Sequence, residues 1–577
     1  MPQGRKKTPF SGKAKKEQLK AKKQKSQFQA SHSRSNVLLK HNSDEESSDS
    51  SHVQKLNHQP NKGGKNANRY ALQFYKETPE ELKKSRELAR HELKSVDSSQ
   101  LVINIDDYFI PELDFPKRPK WSYDISKDVL ESQEQRYFTE YLKDLEEKVS
   151  WKDQSFFEIN LETWRQLWRV LEMSDIVLIV VDIRYPALLF PPYLYEYVTK
   201  TLGKHMILVL NKIDLCPTPL VAAWKNYFKS KYPELSVLMF TTLPIYNLMK
   251  CQENKAGLVI RKRKGKIRMA AEGTQLLLDA CKSIVNDRVD LSSWEQKIKE
   301  ECHEDFQDSD RVEVGETIEI KKTDASYFEH ELYKGGILTI GCIGQPNVGK
   351  SSLLNAIMGK KVVSVSRTPG HTKYFQTIFL TKNVRLCDCP GLVFPSKVPK
   401  ELQVLMGSFP IAQLREPYSS IRYIAERLDM PKLLSVNHPD DEESWSPMDV
   451  CDAWAKKRGY LTAKSGRLDT YRAANSLLRM ALDGKICLNM HPPGYKPDEW
   501  ENHPETELVR WVKAITKDDQ GTYVSPTSED ELSPCYDDSE QVESNKESEG
   551  DDDDDEEDVP AEKPRRANKF AALEETE

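Results

Sequence analysis

The sequence predicts an α/β fold with a mostly parallel sheet and helices on both faces. Strands that are buried on both faces are apolar along their whole length, and connecting helices need long intervening segments. Both features are present here. The candidate strands are the aliphatic segments 176–182, 206–211, 236–240, 337–344 and 384–388. Because parallel strands end at one edge of a sheet, we expect the functional loops at the carboxyl ends of these segments.

Length and composition predict several modules, part of them disordered. The chain has 577 residues, 31% charged and 38% hydrophobic, and its mean hydropathy is −0.68. At about 150 residues per domain, three or four modules are expected, and so polar a composition predicts disordered parts. No apolar segment approaches the roughly 20 residues of a bilayer span, and no apolar region follows the N-terminal charges, so we predict neither a membrane protein nor a signal peptide. The ten cysteines lack C-x-x-C spacing, which is typical of reduced intracellular thiols and not of a zinc site or disulfide framework.

The two ends of the chain carry opposite charge. Residues 1–40 contain twelve Lys/Arg and one Glu, and an acidic serine cluster follows at 42–51. We interpret 1–69 as a disordered basic arm with a phosphorylation tract, which either contacts nucleic acid or only solubilises the chain. Residues 529–577 contain twenty-one acidic and five basic residues, so 516–577 is predicted to be a disordered acidic tail.

Helical patterns surround the predicted strands. Segments 79–94 and 130–148 predict a helical lead-in over residues 70–150. A further helix is predicted at 274–286, before a flexible surface insertion at about 297–335. From 401 to 515 the pattern is helical again, and its strongest helix, 469–483, lies between Asp469 and Gly484. One apolar stripe of helical spacing, with its tryptophans predicted to be core packing, consists of Leu161, Trp164, Leu167, Trp168 and Leu171.

A phosphate-binding loop is predicted at GQPNVGKS, residues 344–351. The segment fits G-x-x-x-x-G-K-[ST] and lies between a strand and a helix candidate, which is the context that the motif requires. Glycines let backbone N–H groups curl around phosphate oxygens, Lys350 reaches the β- and γ-phosphates, and the Ser351 hydroxyl binds Mg²⁺. The predicted contacts of this loop are Gly344, Asn347, Val348, Gly349, Lys350, Ser351 and Ser352.

The tetrapeptide NKID at 211–214 predicts that the bound base is guanine. It ends the candidate strand 206–211. The Asp214 carboxylate can accept hydrogen bonds from guanine N1–H and from the exocyclic amine, whereas adenine offers no such pair, which disfavours an ATPase. Asn211 would brace the loop, and the stem of Lys212 would pack along the base.

DCPG at 388–391 completes the predicted catalytic set. Asp388 is placed to hold Mg²⁺ through water, and Gly391 to offer its N–H to the γ-phosphate. The loop-like stretch 366–375 lies between this motif and the phosphate loop. In it, Thr372 is the first choice for the Mg²⁺ ligand that senses the γ-phosphate, and Thr368 is the alternative. The predicted catalytic residues are Lys350, Thr372, Asp388 and Gly391, and the predicted metal ligands are Ser351, Thr372 and Asp388.

The order of the motifs is permuted, because NKID precedes the phosphate loop. A permuted chain can keep the same arrangement of strands in space if the original termini are joined and new termini are opened elsewhere. The motif order resembles the circularly permuted GTPases of the YlqF/YawG type, a family associated with ribosome assembly. The motifs that carry the resemblance are DIRYP at 182–186, GQPNVGKSS at 344–352, RTPGHTK at 367–373 and DCPGLVFP at 388–395.

The resemblance covers nearly the whole chain and implies a circularly permuted P-loop G domain over 151–400, followed by a C-terminal helical module and flanked by disordered charged termini. It implies GTP and GDP as ligands, Mg²⁺ as cofactor and slow intrinsic hydrolysis. Leu392 stands where many signalling GTPases carry a water-orienting Gln. Asn347 maps to the asparagine with which relatives hold a K⁺ ion, so K⁺ is a possible second cofactor. FTTLP at 240–244 stands where the base-side loop of the family usually reads S-A-K/L. The resemblance therefore implies a backbone contact to guanine O6, with no information in the side chains of Thr241 and Thr242.

Basic side chains interleaved with aromatic ones predict an RNA-facing surface on the C-terminal module, 401–515. The alternative is a solvated basic face over an aromatic core. The cations are Lys456, Lys457, Arg458, Lys464, Arg467, Arg472, Arg479 and Lys485, and the aromatic residues are Trp454, Tyr460 and Tyr471. RKRKGKIR at 261–268 is either a nuclear localisation signal, an RNA patch or neither.

Together these features predict a GTPase that acts as a nucleotide-timed switch in ribosome biogenesis. The alternative is a GTP-stabilised RNA- or protein-binding scaffold with negligible turnover. The resemblance implies a pre-ribosomal particle or ribosomal RNA and ribosome-assembly proteins as partners, no membrane, and a monomer located in the nucleus, nucleolus and cytoplasm.

Overall fold

The computed structural model describes the backbone of residues 53–55, 73–75, 77–122, 124–150, 154–244, 248–253, 259–263, 268–303, 331–365, 375–462 and 466–513. For 53–55, 73–75, 248–253, 259–263 and 302–303, the side chains are not part of this description. Most of the predicted basic arm and all of the predicted acidic tail lie outside the described residues. So do Thr368, Thr372 and Lys464.

The strands and helices are numbered in chain order. The strands are β1 Val53–Lys55, β2 Gln73–Tyr75, β3 Ile176–Asp182, β4 His205–Asn211, β5 Ser236–Met239, β6 Leu248–Glu253, β7 Val259–Arg263, β8 Leu338–Ile343, β9 Gln376–Thr381 and β10 Val384–Asp388. The helices are α1 Pro79–Leu88, α2 Lys127–Lys148, α3 Leu161–Met173, α4 Pro186–Leu189, α5 Pro192–Glu196, α6 Thr218–Lys231, α7 Ala271–Val285, α8 Ser292–His303, α9 Lys350–Met358, α10 Lys400–Met406, α11 Tyr418–Ala425, α12 Met430–Leu434, α13 Pro447–Arg458, α14 Thr470–Leu482, α15 Pro497–Trp500 and α16 Pro504–Lys513.

A six-stranded sheet in the order β5-β4-β3-β8-β10-β9 forms the centre of the fold. The first five strands in this order, β5-β4-β3-β8-β10, are all parallel to one another. The sixth strand, β9, lies at the edge and pairs antiparallel with β10. The predicted mostly parallel α/β sheet is therefore confirmed, and all five predicted strands are present with nearly the predicted ends. The sequence prediction missed β9, whose burial is irregular because it lies at the edge of the sheet. It also missed the antiparallel pairs β6–β7 and β1–β2, and β1 lies within the arm that was predicted to be disordered.

The strand register brings the predicted motifs to one edge of the sheet. Asp182, the last residue of β3, lies beside Asn211, the last residue of β4. Asp388, the last residue of β10, lies beside Cys342 of β8, just before the phosphate loop. Because the neighbouring strands are parallel, the loops that follow them emerge together.

Helix α3 carries the predicted apolar stripe into the core. Asn160 begins the helix by accepting a hydrogen bond from the Glu162 amide. Trp164 and Trp168 are almost completely buried, and their indole N–H groups donate to the carbonyl oxygens of Glu158 and Pro116 at 2.8 and 2.9 Å. The prediction that these tryptophans are core packing is confirmed.

Two segments differ from what the sequence led us to expect. Helix α8 occupies the beginning of the stretch that was predicted as a flexible insertion from about 297, because Trp294 and Ile298 form an apolar pair at helical spacing that is buried. The C-terminal helices share a hydrophobic core with the sheet, since one continuous cluster of buried side chains includes residues from Ala89 to Val512. A displacement of these helices would therefore disturb the sheet as well.

Two predicted C-terminal helix signals are present. Asp469 begins α14 by accepting a hydrogen bond from the Arg472 amide, and Gly484 follows just after its end with a φ of 70°. Among the helices of the described part of the chain, none has both the length and the apolar character needed to cross a membrane.

Candidate functional site

The loop between β8 and α9 has the backbone shape of a phosphate cradle. Gly344, Asn347 and Gly349 have φ angles of 145°, 59° and 98°, and α9 begins directly afterwards at Lys350. Successive amides in such a turn, together with the N-terminus of the following helix, form an anion-binding concavity. A Cβ atom on Gly349 would lie 2.5 Å from Nδ2 of Asn211, so the close approach of Asn211 requires glycine there as well.

The side chain of Lys350 is buried within this loop. Its Nζ donates to the carbonyl oxygens of Gly344 and Gln345, at 3.0 and 2.7 Å. Burial lowers the pKa of Lys350, an effect that the nearby Asp388 opposes. Phosphate oxygens in the loop would be stronger acceptors for this ammonium group than the two carbonyls.

The predicted base loop and the predicted phosphate loop are hydrogen-bonded to each other. Asn211 Nδ2 donates to the carbonyl oxygen of Val348 at 2.8 Å, and Lys212 Nζ donates to that of Asn347 at 2.7 Å. Asn211 is fully buried. Two segments that are far apart in sequence therefore lie side by side. A ligand that consists of a base and a phosphate chain needs both segments in one site.

The carboxylate of Asp214 is oriented by a residue from the next strand. Thr241, which follows β5, donates a hydrogen bond from Oγ1 to Asp214 Oδ1 at 2.8 Å. The same Oγ1 accepts a hydrogen bond from the amide of Leu243 at 3.1 Å. Thr241 is 1% exposed. The sequence predicted no role for the side chain of Thr241. The available signal was its position directly after the strand that neighbours β4.

Ser351 and Asp388 meet at the end of the phosphate loop. Ser351 Oγ donates to Asp388 Oδ2 at 2.9 Å, whereas the buried Oδ1 of Asp388 has no hydrogen-bond partner within the described residues. Burial raises the pKa of Asp388 to about 6, although Lys350 and Ser351 act in the opposite direction. A hydroxyl beside an unpartnered carboxylate oxygen suits Mg²⁺, which prefers oxygen ligands. These two residues therefore fit the predicted metal site, and Ser352 follows in the same turn of α9.

The segment after Asp388 lies against the phosphate loop. A Cβ atom on Gly391 would lie 2.8 Å from the Cα of Pro346, so this approach is possible only with glycine. The amide of Leu392 donates to the carbonyl oxygen of Gly344 at 3.2 Å, and Leu392 is 2% exposed. Its side chain is therefore part of the core.

The phosphate loop also contacts the segment that follows α10, which the sequence analysis did not anticipate. Ser408 Oγ donates to Gln345 Oε1 at 2.6 Å, and Asn347 Nδ2 donates to the carbonyl oxygen of Gly407 at 2.9 Å. Sequence separation concealed these contacts, since no motif extends across the two segments.

Comparison with known proteins places these features in a family context. A family model described as 50S ribosome-binding GTPase matches residues 339–422. Guanine nucleotide-binding protein-like 1 from Homo sapiens and that from Mus musculus are each 49% identical to this chain over 483 residues, which cover 79% of this chain and 79% of each relative. Large subunit GTPase 1 from Schizosaccharomyces pombe is 33% identical over 449 residues, covering 74% of this chain and 66% of that protein.

Two solved structures were also matched. GDP-bound YlqF covers 57% of this chain and 100% of its own, and GNP-bound YlqF from T. maritima covers 58% and 99%. Both are 18% identical to this chain, with a TM-score of 0.32.

Proposed function

Because this chain belongs to the guanine nucleotide-binding protein-like 1 family of circularly permuted GTPases, we propose that it hydrolyses GTP to GDP and phosphate as a nucleotide-timed switch in ribosome biogenesis. The observation that carries the proposal is the pair of hydrogen bonds from Asn211 to Val348 and from Lys212 to Asn347. They join the base loop of Asp214 to the phosphate loop of Lys350. One nucleotide can then contact both.

Guanine selection is assigned to Asp214. Its carboxylate would accept hydrogen bonds from guanine N1–H and from the exocyclic amine. Each carboxylate oxygen has two lone-pair sites, so the bond from Thr241 to Oδ1 still leaves both oxygens able to accept from the base. Adenine would offer this carboxylate neither of these two donors, so the Thr241 hydroxyl would remain but the hydrogen bonds from the base would be lost. A polar group left unsatisfied in this way costs about 1–3 kcal/mol.

Phosphate binding is assigned to the loop from Gly344 to Ser352. In the proposed reaction, water attacks the γ-phosphorus and gives a proton to the phosphate that forms. The bond from that phosphorus to the β–γ bridging oxygen breaks, and the charge on the leaving GDP increases. The Lys350 ammonium and the loop amides stabilise that charge. Ser351 and Asp388 would hold Mg²⁺, which when bound neutralises charge on the β- and γ-phosphate oxygens. Thr372 is proposed as a further ligand, and Gly391 as the amide donor to the γ-phosphate.

A slow intrinsic rate is also proposed. Leu392 follows Gly391 and is buried, so its side chain can neither reach nor orient an attacking water. Asn347 donates from Nδ2 to Gly407, and its Oδ1 is the end that could hold K⁺. We therefore expect faster turnover in potassium than in sodium. Equal rates in the two salts would remove K⁺ from the proposal.

The C-terminal helices support the proposal of an RNA-facing surface in part. Arg458 lies over the buried Trp454, 4.6 Å from its ring centroid, and Arg472 lies over Tyr460 at the same distance. These rings are already covered by cations. Tyr471, 44% exposed, is the one of the three predicted aromatic residues with an open ring for a base to stack on.

Exposed cations on this surface would contact phosphates. They are Lys456, Lys457, Arg467, Arg472, Arg479 and Lys485. Counterion release from such cations favours binding to a nucleic-acid backbone without sequence preference. We propose ribosomal RNA in a pre-ribosomal particle as the partner, and the nucleus, nucleolus and cytoplasm as the location.

Two measurements on the full-length protein test the function. The first is binding of fluorescent GTP, GDP and ATP analogues, with Lys350→Ala as the control that should lose nucleotide binding. The second is phosphate release with and without purified pre-ribosomal particles. We expect guanine-selective binding and slow release that the particles accelerate. Release that stays negligible with particles would favour a GTP-stabilised scaffold, and failure to bind guanine nucleotides would refute the nucleotide assignment.

A further inference from the structure

A buried ionic network connects the base loop to the end of helix α14. Asp182, the last residue of β3, accepts hydrogen bonds from Arg184 Nη2 at 2.9 Å, from Arg184 Nε at 3.1 Å and from Lys212 Nζ at 2.8 Å. Asp182 and Arg184 are each 1% exposed. The third guanidinium nitrogen, Arg184 Nη1, donates to the carbonyl oxygen of Ala481 at 2.6 Å.

Electrostatics keep this network ionised. Burial alone would raise the pKa of Asp182, but the positive charges of Arg184 and Lys212 outweigh it and hold that pKa well below its usual range. Removing one partner from such a buried arrangement leaves an uncompensated charge. The positions of the two cations are therefore coupled through the carboxylate that they share.

The geometry gives the two cations different tasks. The planar guanidinium of Arg184 binds both oxygens of Asp182 and so fixes the orientation of the carboxylate. Lys212 has a flexible stem, and its ammonium group reaches both Asp182 and the carbonyl oxygen of Asn347 in the phosphate loop. The orientation of the carboxylate thus determines where the Lys212 ammonium group lies.

Arg184 is also held by the segment that contains α14. Ala481 lies in the last turn of this helix, and its carbonyl oxygen also accepts a hydrogen bond from the Gly484 amide at 3.2 Å. The amide of Met490, beyond the helix, donates to the carbonyl oxygen of Arg184 at 3.0 Å. Both the side chain and the backbone of Arg184 therefore depend on how this segment packs.

We propose that Arg184 is a positioning residue that fixes Lys212 against the phosphate loop through Asp182, and that its bond to Ala481 makes guanine-nucleotide affinity depend on the packing of α14. The inference rests on the proposed nucleotide site. Arg472 and Arg479 are exposed on α14, so a polyanion bound there acts on the helix that Arg184 contacts. By linkage, bound nucleotide stabilises the packing of α14 to the same extent.

A double-mutant cycle tests the path through Lys212. The dissociation constant of a fluorescent GDP analogue is measured for the full-length wild type, Arg184→Gln, Lys212→Met and the double variant. We expect Arg184→Gln to weaken binding about tenfold. The double variant should bind no more than about threefold more weakly than Lys212→Met alone, because the two residues act in one path. Losses that multiply would overturn the proposal.

The matched control is Arg118→Gln. Arg118 is also buried, with 6% of its side chain exposed, and pairs with Glu134 and Glu172 away from the nucleotide loops. Its loss should lower the free energy of unfolding while changing GDP affinity by less than about twofold. If Arg184→Gln fails to fold, Arg184→Lys replaces it in the cycle. Lysine keeps the charge beside Asp182 but lacks the planar fork, so GDP affinity should still fall.

Hydrogen exchange of the wild type tests the connection to α14 without any substitution. Amides in residues 484–491 should exchange more slowly when GDP is bound, while those in α2 should be unchanged. Slower exchange in the phosphate loop without any change in 484–491 would refute the connection to α14. No change in either segment, together with no GDP binding, would instead refute the proposed function.

Discussion

Thr241→Val tests whether the hydroxyl behind Asp214 contributes to guanine recognition. The substitution removes the donor to Asp214 Oδ1, which lies 2.8 Å away, and nearly preserves the shape of the side chain. A hydrogen bond to a charged group contributes about 1.5–3 kcal/mol. Asp214 is partly exposed, so water can replace some of this interaction, and we take the lower end. About 1.4 kcal/mol corresponds to a tenfold weaker affinity for GDP.

A second effect of the substitution falls on folding. Thr241 Oγ1 also accepts a hydrogen bond from the amide of Leu243 at 3.1 Å. Valine cannot accept this hydrogen bond. The cost of about 1 kcal/mol appears in the free energy of unfolding of the nucleotide-free protein. Measuring both quantities separates the loss of recognition from the loss of stability.

The assay is titration of a fluorescent GDP analogue at constant ionic strength, with chemical denaturation in parallel. Thr241→Ser keeps the hydroxyl and should bind GDP like the wild type. Thr242→Val changes the adjacent threonine in the same way and serves as the control. The reasoning is refuted if Thr241→Val changes GDP affinity by less than about twofold, or if Thr242→Val weakens it equally.

Three further predictions concern other residues of the fold and site. Asp214→Asn should shift preference from GTP to xanthosine triphosphate, because xanthine carries a carbonyl in place of the exocyclic amine; competition binding measures this, and unchanged preference would contradict the base assignment. Asp388→Ala should retain selectivity for guanine over adenine but lose Mg²⁺-dependent phosphate release, and release equal to that of the wild type would exclude Asp388 as a metal ligand. Burial raises the pKa of Glu158 from 4.5 to about 8, so the folded state keeps a proton that the unfolded state releases, and the free energy of unfolding should fall as pH rises from about 4.5 to about 8. Glu158→Gln should make denaturation midpoints less dependent on pH in this range, and parallel profiles for the two proteins would argue against a neutral buried Glu158.

Local patterns in the sequence predicted most of the fold. An almost continuous aliphatic run predicted β3 with the ends that the structure has, because every residue of this strand is buried. The ends of β10 were predicted as well, although its residue Arg385 is only partly buried. The stripe of α3 and the cap of α14 were equally visible. The edge strand β9 was missed because half-exposed strands mix polar and apolar residues irregularly.

The candidate site was predictable only as a set of motifs. Asp214, Ser351 and Asp388 were identified from short segments whose chemistry is local. Thr241 was not, since its importance depends on the carboxylate that it contacts across two strands. Arg184 belonged to a motif, but its contact with Ala481 has no counterpart in sequence spacing.

The sequence by itself determined the parallel sheet, the permuted order of the motifs and the residue types that are proposed to contact a nucleotide. These properties depend on periodicity and on side-chain chemistry within a few residues. The tertiary structure alone decided that Lys212 contacts the phosphate loop, that Gly407 and Ser408 support that loop, and that Arg184 connects the base loop to α14. Such contacts join residues far apart in the chain, and their distances depend on how the intervening segments pack.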